Sequence, residues 1–541
     1  MRKVRIISQI VFFTAFAFFI FSLNSYPEAY KIDSDIFLKL NPLSTILVSI
    51  ASHSFITDMV IFSGAILLLT MIFGRFFCGA VCPLGSMIDI IDTLCSKIRQ
   101  SERRPPHHFH RIKYVLLFIL IILAFFGVLC PLFFDPISLA TRYFTFIIDP
   151  LLKVLVNDSQ HTIASVMPKA GSYLYQSFPV KVTLFTGTAL SLLLFIVIFA
   201  GTFWDRRFWC QYICPSGAFF GLAGNFPIFK RKVVVDKCNS CTKCARACPT
   251  RAIPQKDTHR TSTSECIVCG ICTELKDTCT SFSFSKNDSS QSITPDIKRR
   301  HILGSIAGGL LVLPVYKATA SKKRDDHGKL IRPPGAIPEE QFVSQCIACG
   351  SCMKACPTNA LQPCMFTEGF SKLYTPRIIP KIGGCEGQCT LCGNVCPTGA
   401  IRKLNPPEKP YVKIGTAVVD KNKCVAWEQN KDCVVCDEVC PFNAIDSLEL
   451  ETTGGKFKVP VVKEDLCMGC GMCEHHCPVN DNAAITVLRF GENRKAAGTY
   501  MTDLQKSKMD ENRKKTGLES NSQTQADNTN DNNGGLPVGF E

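Results

Sequence analysis

The feature that most constrains this chain is the spacing of its cysteines. After Lys232 they fall into six sets of four. Cys238, Cys241, Cys244 and Cys248 follow C-x2-C-x2-C-x3-C-P, and Cys346, Cys349, Cys352 and Cys356 repeat that form. So do Cys467, Cys470, Cys473 and Cys477. Three sets are variants. Cys266, Cys269, Cys272 and Cys279 have a longer last gap and no Pro; Cys385, Cys389, Cys392 and Cys396 stretch the first gap by one; Cys424, Cys433, Cys436 and Cys440 stretch it further. Three thiolates at i, i+3 and i+6 in a tight loop can grip three irons of one cubane, while the fourth, ahead of Pro, reaches the other cluster of a pair. The 24 cysteines therefore predict six [4Fe–4S] clusters. A zinc array would need only two C-x2-C pairs and no trailing C-P. Disulfide scaffolds are short and secreted, which does not describe 31 cysteines in 541 residues.

Cross-ligation predicts how the first two sets pair. Cys248 should serve the cluster of Cys266, Cys269 and Cys272, and Cys279 that of Cys238, Cys241 and Cys244. Cys95, Cys130 and Cys364 belong to no set and are read as structural.

The first 230 residues are different. Four apolar runs, Ile6–Leu23, Met59–Phe77, Tyr114–Phe134 and Val182–Trp204, are long enough to cross a bilayer, and only Arg75 is charged among them. The first run lacks a following cleavage site and is read as a retained span rather than a signal peptide. Basic residues crowd the amino terminus, the loop from Cys95 to Lys113, and Arg206, Arg207 and Lys230–Lys232, so these should be cytoplasmic. Topology thus accounts for the net charge of +15, and no nucleic-acid partner is inferred.

This half contains an internal repeat. RFFCGAVCPLG (75–85) and RFWCQYICPSG (207–217) each sit at the cytoplasmic end of a span. Cys78 and Cys82, like Cys210 and Cys214, are four apart and share a helix face; the following Pro suits a helix start. If the halves pack about a pseudo-twofold axis, the four thiols converge as a candidate metal site. The other reading is a structural or redox role.

The predicted fold class is a multidomain membrane protein: an all-α four-helix transmembrane module plus α+β ferredoxin-like [4Fe–4S] domains. The expected divisions are a transmembrane module (1–229), a two-cluster domain (230–290), a linker (291–335) with a short apolar segment at 302–316, a four-cluster domain (336–495) and a disordered tail (496–541). The linker reads as an internal twin-arginine signal, with Arg299 and Arg300 ahead of a weakly apolar run and Ala318-Thr319-Ala320 as a cleavage site, as a short fifth span, or as a hydrophobic linker packing on the membrane half. Export would place the four-cluster domain in the periplasm.

The paired C-x3-C-P motifs, the four spans and the first two cysteine sets make residues 1 to about 285 resemble the NapH type of membrane quinol dehydrogenase. Residues from about 298 to 490 resemble NapG, its twin-arginine-exported four-cluster partner, so the chain looks like a fusion of the two. The resemblance implies a protein of the bacterial inner membrane that oxidises menaquinol or ubiquinol and passes electrons to a periplasmic reductase or small carrier. Nested pairing in the four-cluster domain, first set with fourth and second with third, is a further expectation; it resembles the electron-transfer subunits of molybdopterin reductases. No catalytic residue is assigned. The chain lacks haem (C-x-x-C-H), dinucleotide (G-x-G-x-x-G) and P-loop motifs, so terminal chemistry should lie on a partner. Arg75, Asp89, Asp135 and Arg207 are candidate proton-handling groups at the membrane edge, each with a solvated or snorkelling charge as the alternative. His107, His108 and His110 are read as solvated. The rival function is an assembly or maturation factor for a respiratory metalloenzyme. A pump subunit would want more charges inside its spans.

Overall fold

The computed structural model describes residues 1–23, 35–96, 107–129, 134–166, 182–225, 227–275, 279–284, 292–293, 299–321, 328–452, 455–479 and 482–503. Cys130 and most of the expected tail lie outside them. Residues 1–496 form one compact unit.

The amino-terminal module is built of helices joined by short turns among its described residues. Its principal helices are α1 (Arg2–Ser22), α2 (Pro42–Ser52), α3 (Thr57–Phe73), α4 (Pro83–Ser96), α5 (Ile112–Phe125), α6 (Pro136–Tyr143), α7 (Asp149–Val166), α8 (Thr188–Trp204) and α9 (Pro215–Ala223). Local chemistry sets several starts. Asn41 and Asp135 cap α2 and α6 through side-chain oxygens, each with Pro in the first turn. Of the four expected spans, only α1 is by itself long and apolar enough to cross a membrane; α2, α3 and α8 are shorter apolar helices. The third run forms the 14-residue α5. Large apolar side chains nonetheless face outward: Ile7, Ile10 and Phe18 on α1, Ile61 and Leu68 on α3, Leu193, Ile196 and Val197 on α8.

The predicted linker takes a different form. Residues 299–321 make one continuous 23-residue helix, α10 (Arg299–Ser321), which includes Ala318–Ala320. It lies along α5. Gly308 and Gly309 let its backbone approach Ile119 and Ile122, and Leu313 packs with Leu123 and Val128. Small residues at such a crossing favour close helix packing. Tertiary contact thus extends the helix beyond the 15-residue apolar run.

The ferredoxin-like parts are built on short antiparallel pairs. β1 (Phe229–Val233) pairs with β2 (Thr280–Phe284), bracketing the first two cysteine sets. In the carboxy-terminal part, β3 (Leu361–Pro363) pairs with β4 (Pro376–Ile378), β5 (Thr416–Val419) with β8 (Ile485–Leu488), and β6 (Ile445–Thr452) with β7 (Gly455–Val462).

The two ferredoxin parts grip opposite ends of α8. At its amino end, Thr186 N donates to Gln362 (3.1 Å), and Ser191 Oγ and Tyr374 Oη share a hydrogen bond (2.8 Å). At its carboxy end, Asp205 accepts from Arg251 at 2.7 Å. Seventeen residues of helix separate them, about 25 Å.

Candidate iron-sulfur relay and its membrane junction

The structure gathers the expected thiols. Cys248 stands among Cys266, Cys269 and Cys272, whose ionisation it opposes. Cys279 joins Cys238 and Cys244, with Cys241 alongside. The first two sets therefore exchange their fourth cysteines, as the spacing implies.

The carboxy-terminal sets also exchange, but not as nested pairs. Cys396 faces Cys346, Cys349 and Cys352. Cys356 faces Cys385, Cys389 and Cys392. Cys440 lies with Cys467, Cys470 and Cys473, and Cys477 lines one cavity with Cys424, Cys433 and Cys436. First pairs with second and third with fourth, correcting the nested expectation. The units meet where Cys385 N donates to Cys470 O at 2.7 Å. The spatial order of sets is thus first, second, fourth, third.

These sites suit cubanes. The cavities among Cys356, Cys385, Cys389 and Cys392, and among Cys424, Cys433, Cys436 and Cys477, are walled by Pro, Val, Ile, Leu or Ala. Among the described residues, no three His, Cys, Asp or Glu groups are close enough to hold a single ion. A cubane spreads its four sulfurs over four irons and needs that wider spacing. Backbone N–H groups of Ile401, Ala444 and Ala417 donate to Cys396, Cys440 and Cys467 at 3.3–3.4 Å; such bonds tune cluster potential. Burial pushes Cys266, Cys352, Cys392 and Cys473 up, so these thiols stay protonated until metal supplies the counter-charge.

Three family descriptions match. "4Fe-4S binding domain" covers residues 55–101, 186–235 and 392–404, a second domain of that description 231–253 and 342–362, and "4Fe-4S dicluster domain" 431–480. The carboxy-terminal part is 36% identical over 182 residues to the methylamine utilization ferredoxin-type protein MauM of Methylorubrum extorquens, covering 33% of this chain and 80% of MauM. It is 36% identical over 211 residues to the ferredoxin-type protein NapG of Escherichia coli, covering 37% and 89%. The chain belongs to the NapG/MauM family of ferredoxin-type proteins. MauM of Paracoccus denitrificans is 35% identical over 167 residues, with 30% and 71% covered. Like a NapG/MauM protein, the chain carries several [4Fe–4S] clusters and transfers electrons through them.

An ion clamp secures the start of the NapG/MauM part. Arg332 donates to Glu339 at 2.6 and 3.1 Å, and Arg494 to the same carboxylate at 2.7 Å. Burial alone would raise Glu339, but the two guanidinium groups hold it well below the usual carboxylate range. Stability from this clamp is fully present above the unfolded Glu pKa of about 4.3 and is lost as pH falls through the lower folded value. Urea unfolding of the Glu339→Gln variant should show a lower midpoint at pH 7 and a smaller loss on acidification than the parent. Parallel pH profiles would disprove the clamp.

The membrane-edge candidates are buried. Arg75 and Arg207 are 1% and 0% exposed. Arg207 binds Asp89 through Nε and Nη2, both at 2.6 Å, and donates to Cys78 O at 3.0 Å. Arg5 also binds Asp89. Arg75 donates to Glu265 at 2.9 Å and to Ser264 O at 2.8 Å; Lys113 Nζ donates to Glu265 at 2.5 Å, and Tyr114 Oη donates to the same carboxylate at 3.2 Å. Two-sided pairing replaces the expected snorkelling. Asp135 instead caps α6, accepting from Ser138 N at 3.0 Å. His110 is buried against Tyr212, with ring centroids 4.8 Å apart, correcting its solvated reading. Glu265, Lys113 and Arg5 escaped the sequence reading; the adjacency of Glu265 to Cys266 was the available signal.

Proposed function

We propose that the chain is a membrane-embedded conductor that oxidises quinol and relays electrons through six [4Fe–4S] clusters to a reductase or small carrier. The observation that carries this reading is the seating of the two ferredoxin parts at opposite ends of α8, with apolar side chains facing outward between them. A NapH-like module fused to a NapG-like part accounts for that arrangement. α10 then acts as a fifth span: 23 residues rise about 35 Å, enough for the hydrocarbon core. The two-cluster part is cytoplasmic and the four-cluster part periplasmic.

A quinol site is offered by an open, aromatic-walled cavity beside the first two cysteine sets. Phe73, Pro227, Phe229, Val268 and Phe282 form its apolar wall, and Arg231, Thr261, Thr263 and Cys266 also line it. Buried Arg231 Nε has no hydrogen-bond partner there. Aromatic walls with few polar groups suit a hydroquinone ring. When bound, the clusters would take up one at a time the two electrons that oxidation of quinol to quinone releases, the two protons passing to water.

In anaerobic proteoliposomes, quinol should reduce the clusters and quinone reoxidise them. Phe229→Ala should raise KM for quinol on the order of tenfold. Absence of any redox response to quinol or quinone would favour the rival role, maturation of a respiratory metalloenzyme.

A further inference from the structure

One lysine carries its charge into the interior of the NapG/MauM part. Between the second and third carboxy-terminal cysteine sets, Asn405 leads into a tight 3-10 turn, Pro406–Tyr411, that contains Pro406, Pro407 and Pro410. Lys409 lies on this turn and is only 5% exposed. Its Nζ donates to Cys385 Sγ at 3.6 Å and to Glu386 O at 3.2 Å. We propose that Lys409 tunes the relay: it raises the reduction potential of the cluster held by Cys356, Cys385, Cys389 and Cys392, and so governs how long an electron stays at that point of the chain.

Electrostatics gives the direction. Reduction adds one negative charge to a thiolate-bound centre, and a cation hydrogen-bonded to one of its sulfurs favours that form. Burial gives the effect its size. Lys409 is shielded from water, whereas the side chain of Glu386, beside Cys385 in sequence, is exposed and therefore screened. Among the described residues, the hydrogen-bond partners of the ammonium are a cysteine sulfur and a carbonyl, neither of them a carboxylate. A buried cation needs compensation, and the thiolate that Cys385 becomes on binding iron supplies it. The ammonium is also placed in advance. Proline fixes the backbone along the turn, and Glu408 N to Asn405 O (2.9 Å) and Val412 N to Lys409 O (3.1 Å) close it on either side.

The device is selective. The cavity that Cys356, Cys385, Cys389 and Cys392 line together is otherwise walled mainly by apolar groups such as Pro334, Leu361, Ile378 and Leu391. Sulfurs in the other carboxy-terminal clusters take bonds from neutral backbone donors: Ile401 N to Cys396, Ala444 N to Cys440 and Ala417 N to Cys467. A charged donor makes a bond roughly twice as strong as a neutral one. The two-cluster part repeats the arrangement with a different residue. There Arg231, also 5% exposed, donates through Nη2 to Cys244 Sγ at 3.6 Å. Lys409 keeps its proton throughout, and the electron that enters the cluster leaves it again for the next.

The test uses the full chain, purified anaerobically in detergent with its clusters intact, in a redox titration with a chemical reductant followed by electron paramagnetic resonance. In Lys409→Met, one signal should become at least about tenfold harder to reduce, a shift of about 59 mV to lower potential for one electron. Iron and acid-labile sulfide should stay at the parent level. Lys409→Arg, which keeps the charge, should restore most of the shift. Lys381→Met, which removes an exposed lysine from the same part, should move the signal far less. The displaced signal should be the one missing from Cys392→Ala; if that variant does not fold, displacement by Met and restoration by Arg identify it. Unmoved potentials in Lys409→Met, loss of iron from that variant, or an equal shift in Lys381→Met would overturn the proposal. Because no quinol enters the titration, failure here is distinguishable from failure of quinol oxidation.

Discussion

Glu265→Gln should destabilise the junction between the amino-terminal helices and the second cysteine set by about 3–5 kcal/mol, because removing one partner of a buried ion pair strands the other charge. Here two cations are stranded. Lys113 and Arg75 both depend on this carboxylate and are almost wholly buried. Burial would raise Glu265, but Lys113 first and Arg75 next hold it below its ordinary value. The residue precedes Cys266, so losing the pairing also loosens the second cysteine set. Denaturant unfolding in detergent measures the effect. Adding Lys113→Met to the variant should recover part of the loss, since the two sites share one network. A loss below about 1 kcal/mol, the range of exposed pairs, would refute the junction.

The second large effect concerns the order of the relay. Cys392→Ala should remove the cluster shared by Cys356, Cys385 and Cys389. Electrons entering from the amino-terminal part should then fill the first carboxy-terminal cluster and stop, leaving the two beyond it oxidised. By contrast, Cys436→Ala should affect only the last. Rapid-freeze electron paramagnetic resonance after reducing the two-cluster part distinguishes these outcomes. Full reduction of all remaining clusters in Cys392→Ala at the parent rate would rule out a linear order of first, second, fourth and third sets.

The cysteine groupings were legible because cubane chemistry would dictate their spacing, and the C-P ending announced that fourth cysteines are exchanged between sets. Which sets exchange was not legible. Cys356 and Cys396 have equivalent local surroundings; contacts far apart in sequence, such as Thr358 O against Gly383 and the Gln345–Thr398 hydrogen bond, join first to second. Arg75 and Arg207 illustrate a different limit. An arginine ending an apolar run reads as one reaching for water, yet each occupies the same place in its repeat, three residues before a cysteine. Their carboxylate partners come from Glu265 and Asp89, far away in sequence. α10 was underestimated because glycine lowers helix propensity, whereas at Gly308 and Gly309 it permits contact with α5.

α10 has a kinetic consequence. Since one polypeptide carries both cluster-bearing parts, the step between them is unimolecular and does not slow on dilution, unlike a step between separate diffusing carriers. Cutting the chain within this helix should convert a concentration-independent rate into one that scales with the amount of the released piece. The intact chain fixes donor and acceptor at equal numbers however sparsely the protein is expressed.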